Sequence, residues 1–190
     1  MSFRAGGDWA RILSSVNGSK SAYTPYVTIQ FGHNDQKVAA NISVPQFTTN
    51  LETMVSDVRA AGGTPILVTS LSRRNFNETT GKVILDLAPQ VAATLVAAQE
   101  SKSAYIDLNK YSMAYLNAIG ETDALLYDRI VGDNTHLNVG GDFLFGNMVG
   151  WLIEGSAVGK DVKEYICTNK TIIGDIEEGI FILPVNTTAS

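Results

Sequence analysis

The stretch Tyr26-Val27-Thr28-Ile29-Gln30-Phe31-Gly32-His33-Asn34-Asp35 decides how the rest of the chain is read. From Tyr26 to Phe31 it is β-branched and aromatic apart from Gln30, and it stops at Gly32, the pattern of a buried strand running into a turn. Downstream, Ser43-x-x-Gln46 reads as a capping box. It opens a helix with Phe47, Leu51, Met54, Val55 and Val58 on one face and Gly62-Gly63 as its stop. A second strand, Pro65 to Ser70, follows at once. Strand, helix, strand in this order is a βαβ unit, which predicts a parallel sheet with helices packed on it.

Working outward, Asp8 is placed to cap a helix in which Trp9, Ile12, Leu13 and Val16 share a face, stopped by Asn17-Gly18. Residues 71 to 82 are polar and read as the longest loop. Leu85 to about Ser101 reads as a helix with Pro89 in its first turn and Val91, Leu95 and Val96 facing inward. A third strand is expected from Ala104 to Leu108, then a short helix marked by Tyr111, Tyr115, Leu116 and Ile119. Asn138 is expected to cap the last helix, which carries Leu144, Met148, Leu152 and Ile153. Beyond Gly155, the runs Thr171-Ile172-Ile173 and Ile180 to Leu183 read as a C-terminal hairpin around Gly174 and Gly179. The expected organisation is a domain over residues 1–154 and an extension over 155–190 packed on it.

Composition narrows the function classes. The chain has 190 residues, 45% hydrophobic and 17% charged, which is a globular composition and excludes a disordered tail. Fourteen Lys and Arg against nineteen Asp and Glu give a net charge of −5, and no basic cluster exceeds Arg73-Arg74, so a nucleic-acid partner is not expected. No apolar run of bilayer length occurs, and no membrane partner is expected. A single cysteine, Cys167, excludes an internal disulfide and any multi-cysteine zinc site, and its bland reading is a free thiol in the core. Asn-x-Ser/Thr sequons at Asn17, Asn41, Asn77, Asn169 and Asn186 favour secretion, although no signal peptide precedes them. The oligomeric state is not legible.

Two places carry chemistry. In parallel sheets ligands bind beyond the carboxyl ends of strands, which singles out Gly32-His33-Asn34-Asp35. A glycine lets the backbone turn sharply, and the Asn34 amide can donate to a developing oxyanion. Turn formation alone also accounts for an Asn-Asp pair. The second place is Gly132-Asp133-Asn134-Thr135-His136-Leu137-Asn138. A carboxylate three residues before an imidazole can accept from one ring nitrogen and leave the other as a general base. His33, Asp35, Asp133 and His136 also make an acceptable set of metal ligands, so a metal-dependent hydrolase is the rival enzyme class.

Together, Phe31-Gly32-His33-Asn34-Asp35, the preceding Ser2-Phe3-Arg4 with its Trp-containing helix, and Asp133-Asn134-Thr135-His136-Leu137-Asn138-x-x-Gly141 resemble the SGNH (GDSL-type) hydrolases. Within them the match is to the rhamnogalacturonan acetylesterase branch, over roughly residues 2 to 153. The resemblance implies a three-layer α/β/α sandwich with a parallel, flavodoxin-like sheet of order 2-1-3-4-5, of which this chain supplies the last three strands. It implies Asn34 as oxyanion donor, His136 as the base that deprotonates a serine, and Asp133 as the group holding His136. Gly32, His33 and Asp35 then have structural roles at the site. It implies no cofactor and no metal. The substrate class would be a pectic polysaccharide such as rhamnogalacturonan, or a small acetyl ester.

The family's first block, Gly-Asp-Ser, supplies the nucleophile, and it does not occur here. Gly7-Asp8, Gly132-Asp133, Gly141-Asp142 and Gly174-Asp175 are followed by Trp9, Asn134, Phe143 and Ile176. No Gly-x-Ser-x-Gly elbow replaces it. The expectation drawn from this is an N-terminally truncated, secreted esterase that is inactive as it stands, with the signal peptide lost along with the first blocks. The non-enzyme alternative is a carbohydrate-binding pseudoenzyme.

Overall fold

A computed structural model of the chain describes residues 2–183. In chain order the elements are α1 (Ser2–Ala5), α2 (Asp8–Ser19), β1 (Tyr26–Ile29), a 3-10 turn (Val38–Ala40), α3 (Val44–Ala61), β2 (Thr64–Val68), β3 (Phe76–Asn77), β4 (Lys82–Val83), α4 (Ala88–Ser101) and β5 (Ala104–Ile106). There follow α5 (Leu108–Ile119), α6 (Glu121–Ala124), a 3-10 turn (Leu125–Tyr127), α7 (Val139–Glu154), α8 (Gly159–Val162), a 3-10 turn (Lys163–Tyr165) and α9 (Lys170–Glu178). The chain divides into two compact units, one formed by the residues up to Thr69 with Pro89–Tyr105, the other by Ser70–Ala88 with the described residues from Ile106 onward.

The first unit holds the sheet, in the order β1-β2-β5. β1 and β2 pair in parallel from Tyr26↔Thr64 to Ile29↔Leu67, as the βαβ reading predicts. Ile29 and Leu67 are partners in that register and enter one buried cluster with Trp9, Phe47, Leu51, Met54, Val55, Val58, Ala93, Ala97 and Ala98. Burial of each large apolar side chain contributes about 1.5–3 kcal/mol, so this cluster is what commits α2, α3 and α4 to the sheet. Ser43 Oγ accepts the Gln46 N–H at 3.3 Å to start α3, and Gly62 ends it at φ 94°. Gly63 is required by a close approach: a Cβ there would sit 2.8 Å from Cγ1 of Val16 on α2.

The second unit is built on α5, α7 and α9. Tyr115, Leu116, Tyr127, Leu144, Phe145 and Met148 are buried in it, and Phe145 meets the rings of Tyr115 and Tyr127 edge-on. The Tyr115 and Tyr127 hydroxyls lie 3.0 Å apart and bond to the carbonyls of Ile180 and Ile182, which ties the segment after α9 to this core. Burial pushes both phenols above their ordinary value of 10.0.

Several sequence expectations are corrected. The C-terminal hairpin is instead the helix α9: Asn169 Oδ1 accepts the N–H groups of Thr171 and Ile172, and Ile172, Ile173 and Ile176 fall on one buried face. The cap and the helical period outweigh the strand preference of the isoleucines. α7 is therefore not the last helix. The inward face of α4 differs in part from the expected one. The helix begins at Ala88 and buries Gln90, Ala93, Thr94, Ala97 and Ala98; of the three residues expected inward, Val91 and Leu95 are half-buried and Val96 is 47% exposed, because small side chains let this helix lie close to the cluster.

β5 stops at Ile106 because Asp107 accepts the Lys110 N–H and caps α5. Residues 71 to 82 are not a plain loop, since β3 and β4 pair there as a short antiparallel hairpin, with Asn77 Oδ1 accepting from Thr79 and Thr80. α2 takes Gly7 as its N-cap. Asp8 accepts from Arg11, and the helix runs through Asn17-Gly18 to Ser19. Cys167 is exposed and free. Asn17, Asn41, Asn77 and Asn169 are exposed, and the sequon at Asn186 lies outside the described residues. No helix among the described residues is long and apolar enough to cross a membrane.

Candidate active site

The loop from Asp128 to Asn138 is shaped by its own backbone first. Gly132 takes φ 82°, and the Asp133 N–H reaches Ile130 O at 3.0 Å to close a tight turn. Asp128 and Leu137 form a single antiparallel bridge, the Arg129 N–H donates to His136 O at 3.0 Å, and the Asn138 N–H donates to Tyr127 O at 2.9 Å. Asn138 then caps α7: its Oδ1 accepts the Gly141 N–H at 3.0 Å, and its Nδ2 donates to the carbonyls of Leu126 and Asp128 at 2.7 and 3.2 Å.

This loop brings Asp133 and His136 together. Asp133 Oδ2 lies 2.9 Å from His136 Nδ1 and Oδ1 lies 3.0 Å from it, while Oδ1 also accepts the backbone N–H of His136 at 3.0 Å and of Thr135 at 3.3 Å. The His136 side chain is 66% exposed, the Asp133 side chain 22%. Donation from the His136 backbone N–H, before any other contribution, holds the Asp133 carboxyl below the usual carboxylate range. A carboxylate fixed on Nδ1 selects the tautomer that leaves Nε2 as the nitrogen free to take a proton.

Beneath the pair lies a set of side chains that sequence reading missed. Arg74, wholly buried, donates from Nε to Asp128 Oδ1 at 2.6 Å and from Nη2 to the carbonyls of Asp133 and His136 at 3.2 and 2.7 Å. Its own N–H donates to Asn134 O at 3.0 Å. Arg73 donates from Nε to Thr135 Oγ1 at 3.1 Å and pairs with Asp86 at 3.3 Å. Asn75 bridges Asp86 and Asn134 at 2.8 and 2.6 Å. The adjacent arginines in an otherwise polar segment are the only signal the sequence offered for this cradle.

In the other unit, β1 leads into a turn in which Gly32 takes φ 136° and its N–H donates to Asp35 Oδ2 at 3.1 Å. The Gln36 N–H donates to Gly32 O, and the Lys37 N–H to Asn34 O. Gly32 is buried, His33 and Asp35 are half-buried, and Asn34 is exposed at the turn. Among the described residues no group of three or more His, Cys, Asp or Glu side chains that could hold a metal ion occurs.

No family model matches the chain. Over 157 residues it is 29% identical to the rhamnogalacturonan acetylesterase RhgT of Bacillus subtilis (strain 168), a match covering 76% of this chain and 66% of RhgT. Among solved structures it matches the crystal structure of the protein YxiM from Bacillus subtilis with a TM-score of 0.64 and 26% identity, covering 74% of this chain and 40% of YxiM. The resemblance to the rhamnogalacturonan acetylesterase branch of the SGNH hydrolases stands. The parallel sheet with helices against it belongs to the three-layer α/β/α class. The chain spans just under two thirds of RhgT and well under half of YxiM.

Proposed function

We propose that this chain carries the acid–base half of a carbohydrate esterase that removes acetyl groups from a pectic polysaccharide such as rhamnogalacturonan through a serine acyl-enzyme. One observation carries the reading: Asp133 holds His136 through Nδ1 while the imidazole stays exposed. In this mechanism His136 Nε2 accepts the serine proton as Oγ attacks the acetyl carbonyl. It then gives that proton to the departing sugar oxygen. Water attacks the acyl-enzyme with His136 taking its proton, and as the bond to serine Oγ breaks His136 returns that proton to Oγ and acetate leaves. The Asn34 amide donates to the tetrahedral oxyanion, and Asp35 with Gly32 holds the turn that presents it. The similarity to RhgT supports the acetyl-ester substrate. A pectic substrate sets the reaction outside the cell, which suits the exposed sequon asparagines.

No Gly-Asp-Ser occurs in the 190 residues, and this favours one second reading, binding of the polysaccharide without turnover. Hydrolysis of a small acetyl ester and of acetylated rhamnogalacturonan separates the two. The chain alone is expected to be silent on both. A protein with a Gly-Asp-Ser-bearing strand joined ahead of Ser2 is expected to turn over, and to stop on His136→Ala. Silence of the joined protein, with the polysaccharide still bound, would replace the esterase by the binding reading.

A further inference from the structure

We infer that Arg74 is the positioning residue of the Asp133–His136 pair, its guanidinium and backbone N–H fixing the peptide planes of residues 133–136 so that the carboxylate meets the ring at Nδ1. The inference rests on the reading of His136 as a base given above.

Arg74 is fully buried, and Arg is almost never so unless paired. Asp128 at 2.6 Å supplies the countercharge. Charge balance needs nothing more. Yet the same side chain also donates to the carbonyls of Asp133 and His136, the two ends of the motif, while its backbone N–H donates to the carbonyl of Asn134 between them. Because a trans peptide is planar, with its N–H opposed to its C=O, anchoring Asn134 O turns the Thr135 N–H the other way. That N–H is one of the two that meet Asp133 Oδ1, the other being His136's own. One arginine thus anchors the carbonyl side of the turn, and the carboxylate collects the amide side.

The exposed His136 ring has little packing of its own, so Asp133 sets its orientation and the cradle sets Asp133. A buried ion pair is weak as a source of net stability, and a hydrophobic replacement of the same volume is often neutral or better. What an apolar residue cannot supply is a rigid fork of donors at fixed angles.

The test uses the 190-residue protein and reads the ring of His136 directly. With only two histidines in the chain, ring 15N shifts are assigned by a His33→Gln control. In the wild type, neutral His136 is expected mainly as the Nδ1–H tautomer. Folded Arg74→Met is expected to shift the ratio several-fold toward Nε2–H, and to raise the Asp133 carboxyl toward its ordinary value as the turn amides swing away. Arg74→Lys keeps a positive charge, but its single nitrogen cannot bond Asp128 and the two carbonyls from separate positions as Nε and Nη2 do, so it is expected to shift the ratio in the same direction, by less, and it serves if the Met variant does not fold. A folded variant of either kind that keeps the wild-type ratio overturns the inference, because a residue that only stabilises the fold lowers the melting temperature without changing the tautomer. The readout needs no turnover. Loss of the tautomer in a protein whose Gly-Asp-Ser-joined form is also silent would leave the positioning role intact and remove the esterase reading alone.

Discussion

Asp133 holds His136 at two points, its Oδ2 2.9 Å from the ring Nδ1 and its Oδ1 3.0 Å from the backbone nitrogen of the same residue. The two contacts answer to different chemistry. The backbone contact needs only an acceptor, whereas the ring contact selects a tautomer only if the group facing Nδ1 cannot donate.

Asp133→Asn separates them. An amide oxygen in the place of Oδ1 can keep the backbone N–H groups of Thr135 and His136, and the amide NH2 can meet Nδ1 only as a donor, which forces the ring proton onto Nε2. The expected result is a folded protein in which neutral His136 is mainly Nε2–H by ring 15N shifts. An unchanged tautomer would mean that the carboxylate does not set it.

Acid should undo the turn through Asp133. Its folded pKa lies below the ordinary 3.8, so its contribution is present above that value and is lost as pH falls through the folded pKa. Melting temperatures of the wild type and Asp133→Asn are expected to differ near neutrality and to converge as pH is taken well below 3.8. A gap that persists there would assign the difference to packing.

The buried pair of Arg74 and Asp128 and the exposed pair of Arg4 and Asp57 should respond unequally to truncation. Asp128→Ala leaves a buried guanidinium without its countercharge and is expected to cost about 3–5 kcal/mol by urea unfolding. Arg4→Ala removes a contact at 3.1 Å between side chains 36% and 29% exposed, and is expected to cost under about 1 kcal/mol. Equal losses would show that burial does not govern the Arg74 pair.

Gly141, three residues into the helix that Asn138 caps, is held open by its neighbours. A Cβ there would meet Cδ2 of Leu137 at 2.9 Å and Cβ of the buried Tyr127 at 3.1 Å, whereas one at Gly146 on the same helix would meet nothing within 4 Å. Gly146→Ala is expected to stabilise by about 1 kcal/mol through helix propensity. Gly141→Ala carries the same gain against a crowding cost of about 1–3 kcal/mol and is expected to fall below it by that amount. Thermal unfolding of the two variants reads the difference.

What was legible in the sequence was local. β1, α3 and β2 announce themselves because a strand run, a cap and a double glycine lie within a few residues of what they control, and Asp133 meets His136 because three residues of one turn suffice. The Arg74 cradle was not legible, since its partners stand 54 to 62 residues away and a polar segment with two arginines looks like any solvated loop. α4 was misjudged in part because its buried face is made of Ala93, Thr94, Ala97 and Ala98, which a hydropathy ranking places behind Val96. α9 was misjudged because Ile172 and Ile173 suggest a strand when the cap at Asn169 goes unread.

The last prediction concerns Asn34, exposed on the turn after β1. In a protein with a Gly-Asp-Ser-bearing strand joined ahead of Ser2, its amide should matter where negative charge appears on the acetyl oxygen, and little before. A neutral N–H donor bonds a ground-state ester carbonyl weakly and a tetrahedral oxyanion strongly, so its removal is felt in the transition state. Asn34→Ala is therefore expected to lower kcat by on the order of 10²–10³ and to leave KM nearly unchanged. Asn34→Asp should be worse than Ala, since a carboxylate there would face the oxyanion with like charge. A strong chelator should leave the rate unaltered, because in this mechanism the serine proton goes to His136 and the oxyanion to an amide. Wild-type kcat in Asn34→Ala would remove Asn34 from the mechanism, and loss of turnover on chelation would return His33, Asp35, Asp133 and His136 to consideration as metal ligands.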